Sequence, residues 1–164
     1  PHPCVAHPPC GSWCKLAALV ERVYGYRQGD DGGTFAAALS SVRKFGGILE
    51  HPAHSRAWAK FGLTPPPARG WQRCIDGAWV CEVSQAAYGH RAQKLTWLVC
   101  YGLDDPPSPS WERPPWSGVV SGLRNNCGRP LEQRVWPREA SLTPPAFAEF
   151  LLSIARRCAP GGGE

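Results

Sequence analysis

The residue pattern predicts an α/β protein, most simply a Rossmann-like sheet with an antiparallel strand at one side and helices packed on it. Two observations carry that expectation. Short apolar runs alternate with helical periodicity in the order strand–helix–helix–strand–helix–strand–strand, and two turns rich in reactive side chains, 7–10 and 50–52, follow directly on strands. A chain of 164 residues with 43% apolar content is long enough to close one real core around such a sheet.

The elements follow in order. Cys4 to Ala6 reads as the end of a buried strand. Ser12 is a capping residue for a helix from Trp13 to about Tyr24, with Leu16, Leu19, Val20 and Val23 on one face. "YRQGDDGG" breaks the chain, and Thr34 opens a second helix in which Phe35, Ala38, Leu39, Val42 and Phe45 recur at helical spacing until Gly46 and Gly47 end it. "GILEHP" is a short strand that stops at a proline, and Ala53 to Phe61 a short third helix. "WVCEVSQ" and "KLTWLVCYG" are β-prone and apolar, joined by "AAYGHRAQ". The core thus runs over 1–103, followed by an irregular Pro/Trp/Arg-rich segment at 104–137. A closing helix at 138–158 has Thr143 as cap, Pro144 at its first position, and Phe147, Phe150, Leu151 and Ile154 on its buried face. Residues 159–164 read as a frayed tail, and no internal repeat is visible.

Composition narrows the function classes. No apolar stretch approaches the ~20 residues that span a bilayer, and no secretory pattern opens the chain, so a cytoplasmic protein without a membrane partner is expected. The chain has no methionine, even at position 1, which points to a natural start further upstream. Its net charge of +5 permits a polyanionic partner without demanding one. Eight cysteines at irregular spacing, with no CxxC pair, are expected as reduced thiols. No metal is expected: His2, Cys4, His7, Cys10 and Cys14 match no standard finger or ribbon spacing. The functional candidates therefore lie where strands end, at His7 to Cys10 and at Glu50 to Pro52, which should face one crevice.

"HPPC" at 7–10 resembles the Pro-Pro-Cys loop of DNA cytosine-5 methyltransferases, and "GGILEHP" resembles their strand ending in Glu-Asn-Val. "YGHRAQKLTWLVCYG" resembles the segment in which a Tyr/Phe-Gly pair leads through a Gln-x-Arg-x-Arg run into a strand. "LTPPAFAEFLLSIA" is similar to the family's final Pro-Pro helix. The four motifs keep the family's order and cover most of 4–102 and 141–157; small bacterial and phage proteins share the same pattern. The resemblance implies the target-base half of a class I methyltransferase in the cytoplasm of a bacterial or phage-infected cell. It implies Cys10 as a nucleophile adding to carbon 6 of a pyrimidine, and Glu50 as the group at ring nitrogen 3 and the exocyclic amine. Lys94 stands at the first arginine of the Gln-x-Arg-x-Arg run, while Ala92 and Thr96 replace its glutamine and second arginine. Pro8, Pro9 and His51, the last in place of the family's asparagine, would line the pocket.

DNA is the implied partner, single-stranded or with its base flipped out. Arg91, Arg113, Arg124, Arg129 and Arg134, with Trp111 and Trp116, would supply phosphate and stacking contacts. S-adenosylmethionine is the implied donor. The family's Phe-x-Gly-x-Gly loop has no counterpart before Cys10, and Gly29 to Gly33 follows a helix rather than a strand. The donor site is thus expected upstream of Pro1 or from a partner subunit or second copy, unless the chemistry uses another donor. Base modification resembling cytosine-5 methyl transfer is the leading reading. The alternatives are a non-catalytic nucleic-acid-binding module, a donor-independent pyrimidine-modifying protein and a zinc-organised scaffold.

Overall fold

The computed structural model describes residues 2–14, 21, 22, 25, 27–115, 117–120 and 134–159. Strand β1 (Cys4–Ala6) leads into a turn in which the amides of Trp13 and Cys14 both donate to the Cys10 carbonyl. Of the helix expected at 13–24, Glu21 and Arg22 are helical, and Leu16, Leu19, Val20 and Val23 lie outside the described residues. Helix α1 (Thr34–Phe45) begins where expected and buries Phe35, Leu39 and Val42. Its cap is supplied from three residues upstream: Asp31 accepts from the Gly33 and Phe35 amides and from the Trp13 indole.

Strand β2 (Gly47–Pro52) follows, and helix α2 (Arg56–Lys60) is shorter than the nine residues expected at 53–61. His54 takes a left-handed φ of 61° and Ser55 caps through the Ala57 amide, so the helix cannot start earlier. Strands β3 (Gln72–Arg73) and β4 (Trp79–Ser84) come next, then a 3₁₀ turn over Gln85–Tyr88 and strand β5 (Leu95–Tyr101). In the segment at 104–137, residues Val119–Val120 (β6) and Arg134–Val135 (β7) pair in parallel. Helix α3 (Pro137–Ser141) precedes helix α4 (Pro145–Arg157), whose cap is Pro144 rather than Thr143. The buried face of α4 is Phe147, Leu151, Ile154 and Ala155, with Phe150 half-buried.

The protein is thus α/β, with a five-stranded mixed sheet in the order β1-β2-β5-β4-β3. Within this sheet, among the described residues, β1 and β2 pair in parallel, and β5 is antiparallel to both β2 and β4. The antiparallel strand expected at one side therefore sits inside the sheet. The reason is local: the link from β4 to β5 is too short for a crossover, so the two must be antiparallel neighbours. β5 then inserts against β2, and its run Leu98-Val99-Cys100 is buried on both faces.

Each face has its own core. Leu49, Val80, Val99 and Tyr101 meet α1 and α2 through Phe35, Leu39, Val42 and Trp58. Ile48, Cys81, Val83, Leu98 and Cys100 meet α4 through Phe147, Leu151 and Ile154. Among the described residues no helix is long and apolar enough to cross a membrane.

Candidate active site

The sheet brings four segments to one end. β1, β2 and β4 all finish there, and because β5 runs the other way its start lies beside them, with Pro52 opposite Thr96 and Ser84 opposite Leu95. His7 to Cys10 leaves β1 at this end, Gln85 follows β4 and Lys94 precedes β5, while Glu50 lies within β2, two residues before its end, rather than after the strand as expected. Crevices outside strand carboxyl ends are where open α/β sheets bind ligands.

Glu50 is buried and oriented from two sides. Its Oε2 lies 2.9 Å from His7 Nδ1, and its Oε1 accepts from Gln85 Nε2 at 3.1 Å. Gln85 is fully buried, shares the same nitrogen with Thr96 Oγ1 at 3.0 Å, and has no partner for its Oε1 among the described residues. Thr96 in turn donates to the Lys94 carbonyl at 3.2 Å. A carboxylate offers about four lone-pair positions, so two donors leave Glu50 able to accept from a ligand.

Cys10 lies on the exposed side of this network, after a buried Pro8 and an exposed Pro9. Partial desolvation pushes its thiol up, and the neighbouring Cys14 and Glu50 push the same way, against its own backbone hydrogen bond and the Lys94 ammonium. Lys94 is pushed down by burial and pulled back up by Glu50 and Cys10. Its Nζ donates to the Leu142 carbonyl at 2.7 Å. The thiol, the carboxylate and the ammonium are thus within electrostatic reach of one another. Beyond Leu142, a cavity of about 780 Å³ lies between Tyr88, His90, Arg91, Leu142, Pro144 and Ala146, and neither Cys10, Glu50 nor Lys94 lines it.

His51 does not share this face. Successive strand residues point to opposite sides, and His51 is fully buried among the rings of Phe35 and Trp58, with centroids at 5.1 and 6.5 Å. Neither ring nitrogen makes a hydrogen bond among the described residues. Burial pushes its pKa down, opposed by the Pro9 carbonyl and by the charges of Glu50 and Asp31.

The residues expected to touch nucleic acid are differently placed. Arg91 holds the Glu139 carboxylate at 2.9 and 3.2 Å. Arg113 meets Glu82 Oε1 at 2.6 Å and the Ala68 carbonyl at 3.0 Å. Trp111 packs half-buried against the α4-side core. Trp116, Arg124 and Arg129 lie outside the described residues. Sequence reasoning missed His7 and Gln85 as partners of the acid; their signal was position, one directly after β1 and the other directly after β4.

Neither a methyl-donor cradle nor a metal centre is built by the described residues. In the glycine-rich loop at 29–33, Gly29 packs against Trp13, whose ring would stand 3.2 Å from an added Cβ, while Gly32 and Gly33 face open space. Asp31, the acid of that loop, is spent on Trp13 and on the start of α1. Among the described residues, the acid of this loop is therefore not free to hold a donor. No group of three or more His, Cys, Asp or Glu side chains among them could hold a metal ion. The chain matches no family model, no curated protein and no solved structure.

Proposed function

We propose that this end of the sheet binds a pyrimidine base of nucleic acid and that Cys10 adds to it, in the manner of the cytosine-5 methyltransferases that the sequence resembles. The observation that supports this reading is the gathering of Cys10, Glu50 and Lys94 within electrostatic reach at one end of the sheet, three positions that the resemblance picks out independently.

Cytosine is electron-poor, but its carbon 5 is not nucleophilic until the ring loses aromaticity. In the proposed step the sulfur of Cys10 bonds to carbon 6. The C5=C6 pair moves to C4=C5, and the C4=N3 pair moves onto N3, which takes a proton. Glu50, which has lone pairs beyond those used by His7 and Gln85, holds that proton at N3. The Lys94 ammonium favours the thiolate over the thiol. Carbon 5 is now an enamine carbon and exchanges its hydrogen with water before the adduct reverts. The base must leave any duplex to enter such a crevice. A donor-independent modification of the same adduct is the second reading, favoured by the engagement of Asp31 with Trp13 and the start of α1.

Release of tritium into water from oligonucleotides carrying [5-³H]cytosine tests the shared step without any group donor. Release from single-stranded or mismatched substrate, abolished in Cys10→Ser, is the expected result. Equal release by Cys10→Ser, or none from any DNA or RNA strand, overturns the reading.

A further inference from the structure

We propose that Cys100 and Cys158 are a redox pair that peroxide closes into a disulfide, clamping helix α4 to the central strand of the sheet. The proposal stands apart from the function proposed above. Cys100 is next to last in β5, whereas Lys94 precedes the first residue of that strand, so the pair lies away from the end that carries the candidate site.

The two sulfurs are in contact. Their Sγ atoms are 3.9 Å apart, and both residues are buried, Cys100 on the α4 side of β5 and Cys158 at the C-terminal cap of α4. A disulfide bond is about 2.05 Å long, so roughly 2 Å are left to close by swinging the two thiols on their Cα–Cβ bonds. The backbones beside them are already joined: the Ala159 amide donates to the Gly102 carbonyl at 2.8 Å. Two glycines make that approach possible. A Cβ at Gly46 or at Gly102 would stand 2.3 Å from the Ala159 carbonyl oxygen, and both take a positive φ, 75° and 85°. The segment that carries Cys158 is thus seated against the sheet by backbone, not only by its sulfur.

The pair is also unequal. Cys158 Sγ donates to the Ile154 carbonyl at 3.3 Å, which leaves the Cys100 thiol to donate to the Cys158 sulfur. That donor, with the Gly47 amide and the Arg157 charge, pulls the Cys158 thiol down against its burial, while the same hydrogen bond and burial push Cys100 up. Cys158 is 7% exposed and Cys100 fully buried. Cys158 is therefore the sulfur that attacks, and Cys100 the one that resolves.

Hydrogen peroxide is the oxidant, small enough to reach a sulfur with so little open surface. The Cys158 sulfur bonds to one peroxide oxygen, the O–O bond breaks, and the departing hydroxide takes up the thiol proton as water. The Cys100 sulfur then bonds to the Cys158 sulfur, the S–O bond breaks, and the second hydroxide leaves as water with the Cys100 proton. Two thiols give up two electrons and one peroxide becomes two waters. The new bond ties residues 58 positions apart and fixes the helix that covers one face of the sheet to the strand at its middle.

The test treats the reduced full chain with hydrogen peroxide, removes the excess with catalase, blocks the residual thiols and maps a non-reducing digest by mass spectrometry. A Cys100–Cys158 link that dithiothreitol reverses is the expected product. The oxidised protein should melt about 5–15 °C above the reduced one. That gain should vanish on reduction and be absent from Cys158→Ala, and the map of the wild type needs no variant to be read. Cys4 and Cys81 are the competing thiols, the first near Cys158 and the second near Cys100. A Cys4–Cys158 or Cys81–Cys100 link in place of the expected one overturns the proposal. So does a Cys100–Cys158 link that forms only in urea, or one that leaves the melting temperature where it was.

Discussion

His7 and Glu50, 43 positions apart in the chain, meet at 2.9 Å and so join the loop after β1 to the second half of strand β2. Both of the contacts that hold Glu50 come from donors, His7 Nδ1 on one oxygen and Gln85 Nε2 on the other. That asymmetry gives the site a specific sensitivity.

Glu50→Gln is expected to destabilise the fold by about 1–2 kcal/mol despite being isosteric. The new amide keeps one acceptor and turns its NH₂ toward one of two groups that also donate. Glu50→Ala should cost about 1–3 kcal/mol, because it leaves the fully buried Gln85 amide with Thr96 alone as acceptor. Urea titration of the two variants measures both. Equal stability of wild type and Glu50→Gln would mean that the carboxylate is not held as described.

Arg113 offers a second test, on whether the segment at 104–137 serves the interior or a ligand. Glu82 is buried, with Oε1 on Arg113 at 2.6 Å and Oε2 on the Trp97 indole at 2.9 Å. Removing the guanidinium leaves a carboxylate with one neutral donor in a packed surround. Arg113 is itself part-exposed, so the cost of Arg113→Ala should fall below that of a fully buried pair, at about 1–3 kcal/mol. Arg113→Ala with Glu82→Gln should recover part of that loss. A variant of unchanged stability that instead loses salt-dependent DNA binding would return Arg113 to the phosphate role that the sequence suggested.

These residues also show what a sequence can disclose. The strands were legible because their apolar runs are long enough to carry a pattern, as in the central "LTWLVCY" of β5. Strand neighbours were not, since chain order says nothing of β5 slipping between β2 and β4. β6 and β7, two residues each, are too short to hold any period. Adjacent strand positions point oppositely, so Glu50 and His51 were never going to share a pocket, and the alternation was available in "GILEHP" itself. The arginines are a different case. A Pro/Trp/Arg stretch looks the same whether its guanidinium groups face phosphate or a carboxylate, and only the fold placed Glu82 opposite Arg113.

His51 predicts an acid-sensitive fold. Burial holds its folded-state pKa below the ordinary value, so below about pH 6.5 the unfolded chain takes up the proton first. Its contribution is therefore complete above about pH 6.5 and is lost as pH falls toward the depressed folded value, at up to about 1.4 kcal/mol per pH unit. His51→Leu keeps an apolar side chain between Phe35 and Trp58 and removes the proton site. Its thermal midpoint should drop less than that of the wild type between pH 7.5 and 5.5. Parallel midpoints in the two proteins would place the acid sensitivity elsewhere.

Gly47 is where the fold and the site can be separated experimentally. It pairs with Cys4 at the start of the parallel ladder, with a φ of 126°, and an added Cβ would stand 2.0 Å from the Cys4 carbonyl oxygen and 2.6 Å from its nitrogen. Backbone on both sides cannot yield that space, so Gly47→Ala must push β1 off β2. Because β1 aims the loop of His7 and Cys10 at Glu50, the same methyl group should remove stability and chemistry together, with a loss of about 3 kcal/mol or more. Gly11 is the control: it adjoins Cys10, has no positive φ, and a Cβ there meets nothing within 4 Å. Gly11→Ala should melt with the wild type and keep its Cys10 alkylation rate. If Gly47→Ala also melts with the wild type, β1 is not seated on β2, and the crevice it helps to form is not there to bind a base.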